Sequence, residues 1–205
     1  MIQPIITFPA PTLKLRAARV EFPLTEEVRA HLADLRDTLA ATPTGVALAS
    51  NQIRAQAWDV FVTRKDLLVP WQPSMSQEII RGRDGRPLMT MPEVFFNATW
   101  EPYPPGVTQD ALNSAYEVQE HLDFQEGCLS VPGFSMRAKR EYWVECLYQD
   151  EDGRYNVWVG RGLAARIIQH ETDHLYGRLV LDMAPRSVQS KIRVEALRRR
   201  MGKRA

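Results

Sequence analysis

The chain holds only two cysteines in 205 residues, Cys128 and Cys146. That excludes a disulfide framework. A reducing cytosol is the expected home, and there a cysteine binds metal or packs quietly. No apolar run is long enough to span a bilayer. The opening Met1-Ile2-Gln3-Pro4-Ile5-Ile6 carries no charged segment and is broken by proline, so it does not read as a secretion signal. An excess of one charge is missing too: 26 basic against 25 acidic side chains leaves +1. A globally basic nucleic-acid binder is therefore excluded, and neither DNA nor a membrane is an expected partner. Internal repeats and low-complexity tracts are absent.

What remains is ordinary soluble composition, 44% hydrophobic and 25% charged, at a length that fits one domain over residues 1–205 with a real core. The charge is unevenly spread. Residues 186–205 hold eight basic side chains against one acid, Glu195, so the rest of the chain is net acidic. This tail is where a polyanion would bind.

Thr25 is placed to cap a helix whose first turn carries Glu26 and Glu27. Val28, Leu32, Leu35 and Leu39 follow at helical spacing, and Pro43 with Gly45 ends the element. His31 sits beside this stripe as a boundary residue with no expected chemical role. Residues 58–63 and 94–98 are rich in β-branched and aromatic side chains and read as buried strands. Between them the text is irregular, as it is across the proline-rich stretch from Glu101. His121, with Glu120 and Asp123, reads as an exposed loop segment. Tyr142, Val144, Cys146 and Tyr148 alternate, Asp150-Glu151-Asp152-Gly153 turns the chain, and Tyr155, Val157 and Val159 continue the alternation. Together they form a β-hairpin, with Trp143 and Trp158 as hairpin packing and Cys146 as a small buried apolar group. A helix from near Arg161 to a cap at Gly177 comes next, and residues 191–201 form a basic helix. Strands and helices without regular alternation indicate an α+β fold.

That helix contains His170-Glu171-Thr172-Asp173-His174. Histidines four residues apart share one helix face and can grip one metal ion. Glu171 then lies about a quarter-turn round, where a general base for a metal-activated water belongs. A catalytic site of this kind wants a third protein ligand. Cys128 stands out among the candidates because Gly127 beside it lets backbone approach a ligand.

Two motifs, Glu126-Gly127-Cys128-Leu129-Ser130 and Gln169-His170-Glu171-Thr172-Asp173-His174-Leu175-Tyr176-Gly177, resemble those of the peptide deformylases, in the family's order and separation. The intervening hairpin with Arg137 and Arg140 is similar as well. The family's first motif is glycine-x-glycine-x-alanine-alanine-x-glutamine. The chain reads Gly45-Val46-Ala47-Leu48-Ala49-Ser50-Asn51-Gln52, with Ala47 for the second glycine and Ser50 for the second alanine. The resemblance implies a divalent metal held by Cys128, His170 and His174. Ferrous iron is the family's metal, and zinc, nickel or cobalt also occupy such sites. It implies Glu171 as the proton acceptor and later donor. The Gln52 side-chain amide and the Leu129 backbone N–H become donors to the developing oxyanion. The reaction is then release of formate from formylated nascent peptides. Gly45, Val46, Ala47, Gly127, Leu129, Leu163, Ile167 and His170 are expected around the substrate, with the Ala47 methyl where a peptide would lie. Arg166 is an extra polar stem beside the pocket. Asp173 is expected to pair with Arg140 or to hold a histidine nitrogen. The basic tail is a candidate for docking on the ribosome.

Two other readings compete. A zinc protease would need a third ligand after His174, where only Asp182 and Glu195 are available, and would leave the cysteine motif without a purpose. A deformylase-like binding module with altered or lost turnover is motivated by Ala47, Ser50 and the long loops, and opposed by the retained Gln52 and Glu171.

Overall fold

A computed structural model describes residues 1–64, 91–102 and 124–202; His121 and most of both irregular stretches lie outside the described residues. Helix α1, Glu26–Ala40, starts at Thr25, whose Oγ1 accepts the Val28 N–H at 3.3 Å. Five antiparallel strands follow in the spatial order β1-β2-β3-β6-β7: Ala47–Ala49, Val60–Thr63, Val94–Pro102, Trp143–Gln149 and Tyr155–Arg161. Strands β4, Glu126–Gly127, and β5, Ser135–Met136, pair separately. Helix α2 is Gly162–Leu175 and helix α3 is Arg186–Gly202.

Alternation along β1 to β3 explains why every residue of β2 is buried. Leu48, Val60, Val62, Val94 and Phe96 pack with Val28, Leu32, Leu35 and Leu39 of α1. Their neighbours Ala47, Ala49, Phe61 and Phe95 join Ala165, Ile168 and Leu175 of α2. A strand covered on both faces reads as a continuous apolar run, as Val60-Phe61-Val62 does. α2 therefore lies against the sheet face opposite α1, with its polar side chains brought inside.

The second hairpin strand has the opposite parity from the one read in the sequence. Val144 pairs with Gly160 and Cys146 with Trp158, and these face the core. Tyr155 and Val157 are 63% and 60% exposed. The large Trp158 ring takes the inner face and lies over Gly160, where a Cβ would overlap it. The strand over 94–98 is longer than expected because Asn97 carries the chain through a bulge between Phe96 and Thr99 at φ +51°. Asn97 Nδ2 donates to Val20 O and to Gln149 Oε1, each at 2.8 Å. Its Oδ1 accepts the Val20 N–H, also at 2.8 Å. One side chain thus does the work of a strand neighbour.

The ends of α2 follow from two glycines at positive φ, Gly162 at +56° and Gly177 at +71°. At the C-terminus the Gly177 N–H reaches His174 O and the Arg178 N–H reaches Asp173 O, both at 2.8 Å. This is the paired bonding of a left-handed helix stop. α3 begins earlier than expected, and its Val188 and Ile192 pack on a third cluster of Leu13, Val131, Leu179 and Leu181. Among the described residues no helix is long and apolar enough to cross a membrane.

Candidate metal and catalytic site

His170 and His174 project together from α2, with ring centroids 4.9 Å apart. The loop after β4 brings Cys128 to them. The ligand atoms of Cys128, His170 and His174 lie within 4.8 Å of one another, and Cys128 Sγ is 3.2 Å from His174 Nε2. A thiolate and two imidazoles converging at this spacing suit a borderline divalent ion and leave room for a further ligand.

Glu126 is the principal site residue not assigned from the sequence. Its carboxylate accepts from His170 Nδ1 at 2.6 Å, Arg140 Nη2 at 2.7 Å, Arg140 Nε at 3.0 Å and Arg166 Nη1 at 3.0 Å. Burial alone would raise this carboxyl, but the hydrogen bonds from His170 and Arg140 hold it well below the usual carboxylate range. Because the carboxylate only accepts, it keeps the proton on His170 Nδ1 and turns the Nε2 lone pair toward Cys128 and His174. Arg166 is 2% exposed and lies beneath Glu126, also donating to Ala138 O at 3.1 Å. The position of Arg166, left open by the sequence, is thus inside the protein, its long stem drawn inward by the buried carboxylate. Arg140 bridges Glu126 to Asp173, with Nη1 2.6 Å from Asp173 Oδ2. Of the histidine nitrogens, it is Glu126 rather than Asp173 that takes one. Glu126 lies within the cysteine motif, but an acid immediately before the Gly127-Cys128 pair gives no hint in sequence of the partners it meets.

Glu171 is 4% exposed, and its Oε2 has no hydrogen-bond partner among the described residues. Burial drives its carboxyl up to about 7, although the neighbouring His170 opposes the shift. Such a group is poised to take and return a proton near neutrality. Gln52 closes a 3-10 turn, Ser50–Gln52. Its Oε1 accepts the Ala49 N–H at 2.8 Å and its Nε2 donates to Ser130 Oγ at 3.1 Å. Asn51 Nδ2 donates to His174 O, which ties this turn to the end of α2.

Val46 and Leu163 are half-buried and pack against the core cluster that contains Ile167. Gly45 lies against Leu129: a Cβ there would come 3.3 Å from Leu129 Cδ1 and 3.0 Å from Leu39 Cδ1. Gly127 is exposed. Ala47 is 5% exposed and packs in the core cluster with Phe61 and Ile168, so its methyl is not on an open surface. His31 is likewise not at a boundary. It is 4% exposed, with Nε2 2.7 Å from Ser50 Oγ, because α1 turns its ring inward onto Trp58.

A helix with two histidines and a buried carboxylate, completed by a cysteine from a neighbouring loop, defines a hydrolase of the metal-assisted class on an α+β fold. Comparisons with known proteins narrow the class. The polypeptide deformylase family model matches residues 2–190. The peptide deformylase of Saccharophagus degradans is 30% identical over 190 residues, covering 93% of this chain and 89% of that one. That of Pseudomonas aeruginosa is 30% identical over 189 residues, covering 92% and 90%. In fold, the crystal structure of peptide deformylase from Ehrlichia chaffeensis superposes with a TM-score of 0.70 at 22% identity, covering 98% of this chain and 97% of that one. The chain belongs to the polypeptide deformylase family.

Proposed function

We propose that this protein removes the N-formyl group from the amino terminus of nascent peptides, those beginning with formyl-methionine above all, and releases formate. The observation that carries the reading is the buried Glu171, its Oε2 without a partner among the described residues, on the same helix as His170 and His174, whose ligand atoms converge with that of Cys128. Cys128, His170 and His174 would hold one divalent ion, which supplies an acidified water as nucleophile. Ferrous iron is the proposed native ion, with zinc, nickel and cobalt suited to the same donors.

Glu171 accepts the water's proton and delivers it to the departing amine. Gln52 Nε2 has two hydrogens, one directed at Ser130 Oγ. The other, with the Leu129 N–H, serves the oxygen that gains charge, where each donor is worth roughly 3 kcal/mol in the transition state. Val46, Leu163 and Ile167 provide an apolar seat for a methionine side chain, and Gly45, Ala47 and Gly127 bring backbone to the peptide. Glu126, Arg140 and Asp173 hold the histidine face in place. The fold is proposed to act as one domain in the cytoplasm, with the basic residues 186–205 docking on ribosomal RNA. Such docking would weaken as salt rises and be lost on deletion of the tail.

The test is formate release from a formyl-methionyl peptide by iron-, nickel- and zinc-loaded protein. Glu171→Gln should retain metal and lose at least about a hundredfold in kcat. Metal binding without release from any formylated peptide would establish a binding module instead, and cleavage of internal peptide bonds a protease.

A further inference from the structure

We infer that His31 and Ser50 form a positioning pair that holds the Ser50–Gln52 turn and so aims the Gln52 amide at the reacting carbonyl. The inference rests on the proposed role of Gln52.

Ser50 stands where the family motif has alanine, and the structure gives its hydroxyl two partners. Oγ lies 2.7 Å from His31 Nε2 and accepts the Trp58 N–H at 3.1 Å. Ser50 and His31 are both buried, so neither partner can be replaced by bulk water without cost. The His31 ring also packs on Trp58, with centroids 5.2 Å apart. Burial lowers its pKa to about 4, which keeps the ring neutral and able to accept the Ser50 proton.

The rest of the turn is anchored elsewhere. Ser50 O accepts the Ile53 and Arg54 N–H groups at 3.2 and 3.1 Å, and Gln52 O accepts the Ile6 N–H at 2.6 Å. Asn51 is tied to the C-terminal end of α2. His31 is therefore the restraint that α1 contributes to the leading end of the turn, while Asn51 and Gln52 are restrained at its trailing end. With Ala49 fixed in the sheet opposite Phe61, loss of the His31 contact frees Ser50 to shift within the turn. The Gln52 Nε2 would then shift relative to the histidine face, and small displacements of an oxyanion donor are costly in the transition state.

The experiment compares Ser50→Ala, His31→Leu, the double variant and His31→Gln, whose amide reaches the position of Nε2. Ser50→Ala and His31→Leu should each lower kcat about fivefold, with KM changed by no more than about twofold, as expected for a transition-state contact. The double variant should be no worse than either single one, and His31→Gln should recover most of the loss. Amide exchange at Ile53 and Arg54 should quicken in both single variants at unchanged metal content. Wild-type kcat in either folded single variant, additive losses, or His31→Gln no better than His31→Leu would each overturn the pair. Absence of formate release from the wild-type protein would instead defeat the deformylase reading. The exchange rates, which need no turnover, would then decide by themselves whether His31 restrains the turn.

Discussion

Replacing Glu126 by glutamine should damage folding and metal retention together, because one carboxylate serves both. The side chains of Glu126, Arg140, Arg166 and Asp173 are all at most 7% exposed. Two guanidinium groups therefore face two carboxylates inside the protein, with Arg178 adding a contact to Asp173 from the surface at 2.8 Å. Glutamine removes one negative charge and turns an N–H₂ toward donors that need an acceptor. Breaking a buried pair from one side costs about 3–5 kcal/mol, a large share of the ~5–15 kcal/mol that holds a domain folded. The same change releases His170 Nδ1 from its 2.6 Å partner, and loss of such a support lowers metal affinity about 10- to 100-fold. Urea unfolding of metal-free protein isolates the first effect, and competition with a chelator measures the second. Arg166→Met in the Glu126→Gln background removes the surplus cation and should return part of the lost stability. Glu126→Gln with unfolding free energy within about 1 kcal/mol of wild type and an unchanged chelator midpoint would refute the reasoning.

Three other perturbations test the frame around the site. Gly177→Ala places a methyl at φ +71° against the Lys14 carbonyl, so a loss of at least about 2 kcal/mol is expected in urea melts. Asn97→Ala removes the contacts to Val20 and Gln149 and strains a positive φ; about 2–4 kcal/mol should be lost, with Asn97→Gly recovering the backbone part only. The pH dependence of stability should carry the signature of His31. The unfolded chain takes up this proton near pH 6.5, while the folded protein resists it until about 4. Stability should therefore be intact above 6.5 and fall as pH drops toward 4, by roughly 3 kcal/mol from this group. Burial sets the direction; Arg54 adds to it, and Asp34 and Glu27 oppose it. Unfolding midpoints measured from pH 7 to 4 should fall less steeply in His31→Gln, and parallel curves would count against the assignment.

The histidine pair on α2, the caps of α1 and α2, and the hairpin were legible because each depends on neighbours in sequence. Histidines four apart share a helix face whatever the rest of the chain does. A threonine before two glutamates signals a helix start, and Gly177 signals its end. The Cys128 motif was legible through family likeness rather than through any local rule.

Hairpin parity was a different matter. Residues 150–154 connect the strands so that Gln149 faces Tyr155, and side chains of equal parity then share a face. Apolar alternation in the second strand pointed the other way, but burial of Trp158 against Phe95, with ring centroids 6.2 Å apart, outweighs exposure of the smaller Val157. A one-residue change of register would turn every side chain of the strand over.

By itself, then, the sequence determined where α1 starts and where α2 starts and stops, which histidines face together, and which family's motifs the chain carries. Only the tertiary structure decided that Glu126 collects Arg140, Arg166 and His170, and that His31 meets Ser50. It also decided that the Ala47 methyl belongs to the core. Those partners lie between 14 and 44 residues apart in the chain. Periodicity and spacing describe which way a side chain points on its own element, but not what another element brings to meet it. A buried charge or hydroxyl is held only when the fold supplies that partner.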